Sequence, residues 1–301
     1  MKYPKQLEGK KICFLGKGGA GKSTCLILTA KALAESGCQV CVLDSDSTNL
    51  GLYRALGIPR APEPLMNHFG GMVFQGGRIT CPVDDPSLLE NAHIDLRDLP
   101  DRYKMGGHDG IVLLQGGKLA DFGVGAGCDG PIVKLSRDLR VTDGGRPVTL
   151  LVDFKAGLED FSRGALVAMD ALVAVCDPSM AGIQIAITLQ QVLERQRHGD
   201  LPATGHLESP DLVELARRLY RESRIDCLHV VLNKVPDPET GAIMRERLEA
   251  AGLEVATVLP DTPALRKAWL REEPLSLDPF REEMEQLLRH LAGESTLAAQ
   301  Q

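Results

Sequence analysis

An α/β architecture, a single doubly wound and mostly parallel sheet with helices on both faces, is the fold the sequence predicts, on three observations. Short apolar runs alternate with longer amphipathic segments through most of the 301 residues, which is the βαβ rhythm of a sheet covered on both sides. Thirty-one glycines stand against 4% aromatics, a balance suited to turns and to close backbone approach to phosphates and not to aromatic-rich carbohydrate binding. Hydrophobic residues at 44% and charged residues at 25% match ordinary globular chains and exclude a disordered or fibrous class. Right-handed crossovers then place residues 1–301 in one domain.

In chain order the strands are expected at Lys11–Leu15, Val40–Leu43, Gly110–Leu114, Val148–Val152, Ala171–Val175, His229–Leu232 and Val255–Leu259. The helical periodicity falls at Lys22–Ser36, Ile132–Leu139, Ser162–Met169, Ala181–Gln196, Pro210–Glu222, Pro238–Ala251, Pro263–Leu270 and Pro279–Leu291. From Arg60 to Gly107 the rhythm fades into Pro, Gly and Asp, so 60–107 reads as an irregular insertion with a small hairpin around Met72–Cys81. The tail 293–301 is expected to fray.

Lys plus Arg number 34 and Asp plus Glu 41, a net charge of −7. That balance disfavours a non-specific electrostatic hold on DNA or anionic lipid, so neither nucleic acid nor a membrane is an expected partner. The longest apolar stretches, such as Ala165–Cys176, are interrupted by Asp170 or too short for a bilayer, and no apolar signal core opens the chain, so a cytoplasmic location is expected. Eight cysteines are then expected reduced and mostly buried. Cys13, Cys41, Cys176 and Cys227 sit in or beside β-like runs. Cys38-Gln-Val-Cys41 has CxxC spacing at the start of a strand with no second pair, so packing is favoured over metal. Cys128 differs, lying in the glycine-rich stretch Gly123–Pro131.

The segment Gly16-Lys-Gly-Gly-Ala-Gly-Lys-Ser-Thr24 follows the first strand directly and opens a helical pattern, the context that a P-loop requires. Around Gly16, Gly18, Gly19, Ala20 and Gly21, successive backbone N–H groups turn inward on phosphate oxygens. Lys22 would reach the β- and γ-phosphates, the Ser23 hydroxyl would ligate Mg²⁺, and Thr24 would sit near the α-phosphate at the positive end of the helix. The fold class is therefore a P-loop NTPase using ATP/ADP and Mg²⁺. Three further segments follow in order: Asp44-Ser-Asp46-Ser-Thr-Asn-Leu50, then Leu150-Leu-Val-Asp153, then Val231-Leu-Asn-Lys-Val235 with Leu259-Pro-Asp-Thr262.

Lys17, just after the first glycine, resembles the deviant Walker A signature of the MinD/ParA and nitrogenase iron-protein group. The resemblance implies an ATP-dependent homodimer in which Lys17 crosses to the partner's phosphates as a second cation. It implies that Asp46, with Asp44 in support, orients the attacking water and helps hold the Mg²⁺ shell, and that Asp153 holds a magnesium-bound water. It also assigns Asn233, Lys234, Pro260 and Asp261 to the adenine side, where an Asn amide supplies both donor and acceptor.

Within this group the chain is similar to the CooC-like ATPases, accessory factors for nickel insertion into carbon monoxide dehydrogenase. Asp98–Tyr103, Gly117-Lys-Leu with Gly127–Pro131, and Asp153-Phe-Lys-Ala-Gly-Leu-Glu-Asp-Phe-Ser-Arg-Gly164 carry the similarity, along with Val175–Ser179. Two departures stand out. The family's Cys-x-Cys-Pro reads Cys128-Asp-Gly130-Pro131, and Lys155 replaces an acidic residue after Asp153. The resemblance implies a metallocentre-assembly ATPase with a protein client, and Cys128 is the candidate for a dimer-bridging Ni, Zn or Fe–S site. A MinD/ParA-like regulator or scaffold that binds no metal, and an iron-protein-like reductase, stay open beside it.

Overall fold

The computed structural model of the chain describes residues 5–118, 128–223, 225 and 228–294. Cys227, Gly123, Gly125 and Gly127, and residues 295–301 of the tail, lie outside the described residues. The strands are β1 (Lys11–Gly16), β2 (Val40–Asp44), β3 (His93–Asp95), β4 (Met105–Gly106), β5 (Val112–Gln115), β6 (Arg140–Asp143), β7 (Arg146–Pro147), β8 (Thr149–Asp153), β9 (Ala171–Cys176), β10 (Leu228–Val235) and β11 (Val255–Pro260). The helices are α1 (Lys22–Glu35), α2 (Leu52–Ala55), α3 (Gly130–Asp138), α4 (Glu159–Ser162), α5 (Met180–Arg197), α6 (Pro210–Arg221), α7 (Pro238–Glu249), α8 (Pro263–Leu270) and α9 (Arg281–Leu291).

The main sheet runs β11-β10-β9-β1-β8-β2-β5-β4. All its pairings are parallel except the β4–β5 edge. Strand β1 is buried throughout, and its alternate side chains serve opposite faces, as the period of two in a strand demands. Cys13 and Leu15 join the apolar cluster beneath α3, α5 and α7. Ile12 and Phe14 join the one beneath α1 and α9.

Three expectations are corrected. The sheet is not alone: β3 pairs in parallel with β6, and β6 turns back on β7 through Gly144 and Gly145, both at positive φ, to make a second, three-stranded sheet. Its strands are two to four residues long and rich in Arg and Asp, so no apolar run announces them. Met72–Cys81 is no hairpin. It holds a 3₁₀ turn at Val73–Gln75 and one isolated parallel bridge between Met72 and Ile79. The glycines at 70, 71, 76 and 77 let the chain loop onto itself, with Arg78 and Ile79 both donating to the Gly71 carbonyl. The helix expected over Ser162–Met169 is split by Gly164, whose φ of 77° ends α4 and starts a 3₁₀ turn, Ala165–Ala168.

Candidate functional site

Strand β1 delivers its last residue, Gly16, against β9. A Cβ there would stand 2.4 Å from the Val175 carbonyl oxygen, and φ is +148°, so glycine is required at the entry to the loop. Beyond it Gly19 and Gly21 also take positive φ. The loop closes through Ala20 N–H on the Lys17 carbonyl at 3.1 Å, and α1 begins at Lys22. Lys22 is buried at the mouth of this cradle. Ser23 Oγ donates to Asp153 Oδ2 at 2.6 Å and accepts from Asn49 Nδ2 at 3.1 Å.

Strand register sets the carboxylates. Asp44 ends β2 directly opposite Asp153, which ends β8, so the two side chains emerge side by side at the carboxyl edge of the sheet, where ligands of open α/β sheets bind. Lys118 Nζ, itself buried, donates to Asp44 Oδ2 at 2.7 Å and to the Asp46 carbonyl at 2.6 Å. Removing one partner of such a buried pair costs about 3–5 kcal/mol. Asp46 Oδ1 accepts from the Thr48 N–H and hydroxyl at 2.9 and 2.6 Å. Burial pushes the Asp44 carboxyl up to about 7 against the pull of Lys118, and the Asp153 carboxyl to about 6 against Ser23 and Lys22.

Asp44 Oδ1 and Asp153 Oδ1 are both buried without a hydrogen-bond partner, and such atoms are costly unless a ligand satisfies them. Hard oxygen donors around the Ser23 hydroxyl fit Mg²⁺, which keeps several waters and takes few protein ligands. Among the described residues no three His, Cys, Asp or Glu side chains gather tightly enough to hold a metal by themselves.

On the other side a cavity of about 620 Å³ opens between Lys22, Thr24, Asn233, Asp261 and Trp269. Asn233 Nδ2 is buried and donates to the Ala20 carbonyl at 2.7 Å, while Lys234 Nζ reaches the Gly19 carbonyl at 2.7 Å. Asp261, after Pro260 at the end of β11, pairs with Arg266 at 2.7 Å. Trp269 Nε1 donates to Thr24 Oγ1 at 2.9 Å. Trp269 and Lys118 went unread in the sequence as site residues. No spacing rule marks Trp269, although it is the chain's single tryptophan, and Lys118 counted only as part of the Gly117-Lys-Leu resemblance.

Lys17 is held by its own chain, 2.8 Å from Asp177 Oδ2 and 3.2 Å from Ser179 Oγ. Burial opposes the charge on Asp177, but Lys17 and Ser179 outweigh it and keep the carboxyl below its usual range. The second glycine-rich element starts helix α3. Cys128, half-buried, accepts the Gly130 N–H at 3.3 Å. Asp129 beside it takes Arg163 at 2.5 Å, Lys155 at 3.2 Å and the Ser47 hydroxyl at 3.1 Å. Lys155, the departure from the acidic pattern, thus works as a cation on Asp129. Cys38 and Cys41 are buried free thiols, as strand packing predicts.

The family model for the CobQ/CobB/MinD/ParA nucleotide binding domain matches residues 12–275. An uncharacterised ATP-binding protein of Methanocaldococcus jannaschii is 29% identical over 273 residues, 89% of this chain and 94% of that one. The carbon monoxide dehydrogenase accessory protein CooC of Rhodospirillum rubrum is 32% identical over 183 residues, 60% of this chain and 67% of that one. Among solved structures, the septum site-determining protein MinD of Pyrococcus horikoshii, complexed with Mg-ADP, aligns with a TM-score of 0.56 at 15% identity over 97% of both chains, a likeness of fold alone.

Proposed function

Because this chain belongs to the CobQ/CobB/MinD/ParA nucleotide-binding domain family and is a MinD/ParA-type ATPase, we propose that it works as a nucleotide-driven homodimeric switch in the assembly of a metalloenzyme centre. ATP is the substrate, cradled by the backbone from Gly16 to Gly21. Ser23, supported by Asp153, Asp44 and Asp46, would hold Mg²⁺, which would supply neutralising charge for phosphoryl transfer. Lys22 places a fixed cation where charge builds on the β- and γ-phosphates. Asp46 orients the attacking water. In an in-line displacement the water oxygen bonds to the γ-phosphorus as the bond from that phosphorus to the β–γ bridging oxygen breaks, yielding ADP and phosphate with the water's proton released to solvent.

Lys17 is the second cation, delivered to the phosphates of a partner subunit. Its bond to Asp177 is then the resting arrangement, exchanged for phosphate when two protomers close. Asn233, Lys234, Pro260 and Asp261 flank the base.

The observation that carries the switch reading is the Ser47–Asp129 hydrogen bond. It ties the segment after Asp46, which senses nucleotide, to the residue next to Cys128, so ATP state and the Cys128 element are one connected network. In sedimentation with a non-hydrolysable ATP analogue, the parent chain dimerises and Lys17→Ala binds nucleotide but stays monomeric; dimerisation of Lys17→Ala would remove the trans role. Nickel, zinc and iron analysis of protein purified without oxygen, with Cys128→Ala as control, tests the metal role. A second reading, a regulator that binds a protein client and no metal, is favoured by Gly130 standing where a second thiol is expected. Equal, metal-free preparations of parent and variant select it.

A further inference from the structure

Gly130 has no positive φ to explain it, yet a Cβ at this position would lie 2.6 Å from Cys81 Cβ and 2.7 Å from Cys81 Sγ. Cys81 therefore occupies the space that a side chain at 130 would need. The same Gly130 donates its N–H to Cys128 Sγ at 3.3 Å, so two thiols from distant parts of the chain converge on one residue. Cys128 Sγ accepts the Gly130 N–H, and the Val83 N–H, two residues after Cys81, pulls that thiol toward its thiolate. Such N–H groups stabilise thiolate, the form that binds metal.

The turn that carries Cys81 is fixed to α3 by charge. Lys134 Nζ, nearly buried, donates to Asp85 Oδ2 at 2.6 Å, to the Asp85 carbonyl at 3.0 Å and to Ser87 Oγ at 3.2 Å. Arg137 adds the Ser87 carbonyl at 2.9 Å, and Asp138 takes the Leu89 N–H at 2.8 Å. The insertion is thereby clamped along α3, and its first turn presents Cys81 to the start of that helix. Burial raises the Cys81 thiol, with Arg163 pulling the other way.

We propose that Cys81 and Cys128 form a two-thiolate site for a thiophilic metal ion of the zinc type, its remaining positions filled by water or by the same pair from a second copy. Sulfur pairs select such ions over magnesium or calcium. Loading replaces two S–H bonds by two metal–sulfur bonds and releases two protons, so occupancy rises with pH. The site rests on the metal-assembly reading above, and supplies from the insertion the sulfur that position 130 lacks.

The test uses the reduced full-length chain, Zn²⁺ as probe, and Cys81→Ser, Cys128→Ser and Gly130→Ala variants, with nucleotide binding as the control for folding. Zinc retained after desalting is expected to fall about tenfold or more in both serine variants, and Gly130→Ala, which displaces Cys81, is expected to weaken it too. A second measurement needs no variant: zinc should slow alkylation of both Cys81 and Cys128 in the parent chain, read by peptide mass spectrometry. Parental zinc in Cys81→Ser, shielding of Cys128 alone, or no zinc in the parent each overturns the pair. The assembly reading fails separately, by loss of the ATP-dependent dimer or by no metal dependence on Cys128, and a Cys128-only site would overturn the pair while leaving that reading in place.

Discussion

Ser23 is hydrogen-bonded to Asp153, which stands beside Asp44 on the neighbouring strand, and Lys22 is buried next to them at the start of α1. Lys22→Ala is expected to cut steady-state phosphate release by about 100-fold or more, the scale of a lost charge-stabilising donor. Turnover unchanged from the parent would remove the site assignment. Trp269 offers an independent readout, since its indole N–H is bonded to Thr24 at the expected α-phosphate position and no other tryptophan competes. ATP titration should change the intrinsic emission of the parent, and that response should vanish in Lys22→Ala if nucleotide no longer enters. The strand–loop–helix form of the P-loop was legible because a phosphate cradle demands fixed spacing along the chain. Lys118 and Trp269 reach the site across more than 70 residues of intervening chain, from Asp44 and Thr24 respectively, and no local pattern encodes that.

At the scale of elements, strands and long helices were legible from apolar period alone, and α8 has the bounds Pro263–Leu270 that its pattern predicts. The insertion and the second sheet were not, because glycine pairs and strands of two to four residues carry no period. The junction of β1 with the loop gives the sharpest element-level prediction. Gly16→Ala forces a Cβ against backbone in a conformation that L-residues avoid, so it should destabilise the fold by roughly 1–3 kcal/mol and lower Tm in thermal unfolding. The Gly76→Ala control has positive φ but no neighbour within 4 Å, so it should cost less; equal losses would discard the steric account. Gly130 differs from both, being constrained by Cys81 and not by its own dihedral.

For the whole molecule, acid sensitivity should centre on the sheet. Burial, with His290 beside it, holds the His229 imidazole down at about 4 from an ordinary 6.5. The unfolded chain therefore binds the extra proton between those values. His229 contributes its stability above pH 6.5, and that contribution fades as the pH falls through about 4, on the order of 3 kcal/mol in total. Denaturant titrations at pH 7.5 and 4.5 should show a smaller loss in His229→Gln than in the parent, and an identical slope would exclude His229 as the acid trigger. Lys11, the first residue of β1, is fully buried and gives its Nζ to the Arg137 and Leu139 carbonyls at 2.8 and 2.9 Å. It fastens the far end of α3 to the centre of the sheet, whereas Asp129, just before the near end, is held by Arg163, Lys155 and Ser47. Helix α3 is thus buried along its length, pinned at its far end by Lys11 and tied at its near end, through Asp129, to Ser47 of the segment after Asp46. At nine residues it is about 13 Å long, so under the proposed switch a rotation of about 10° about the pinned end would carry Cys128 by roughly 2 Å.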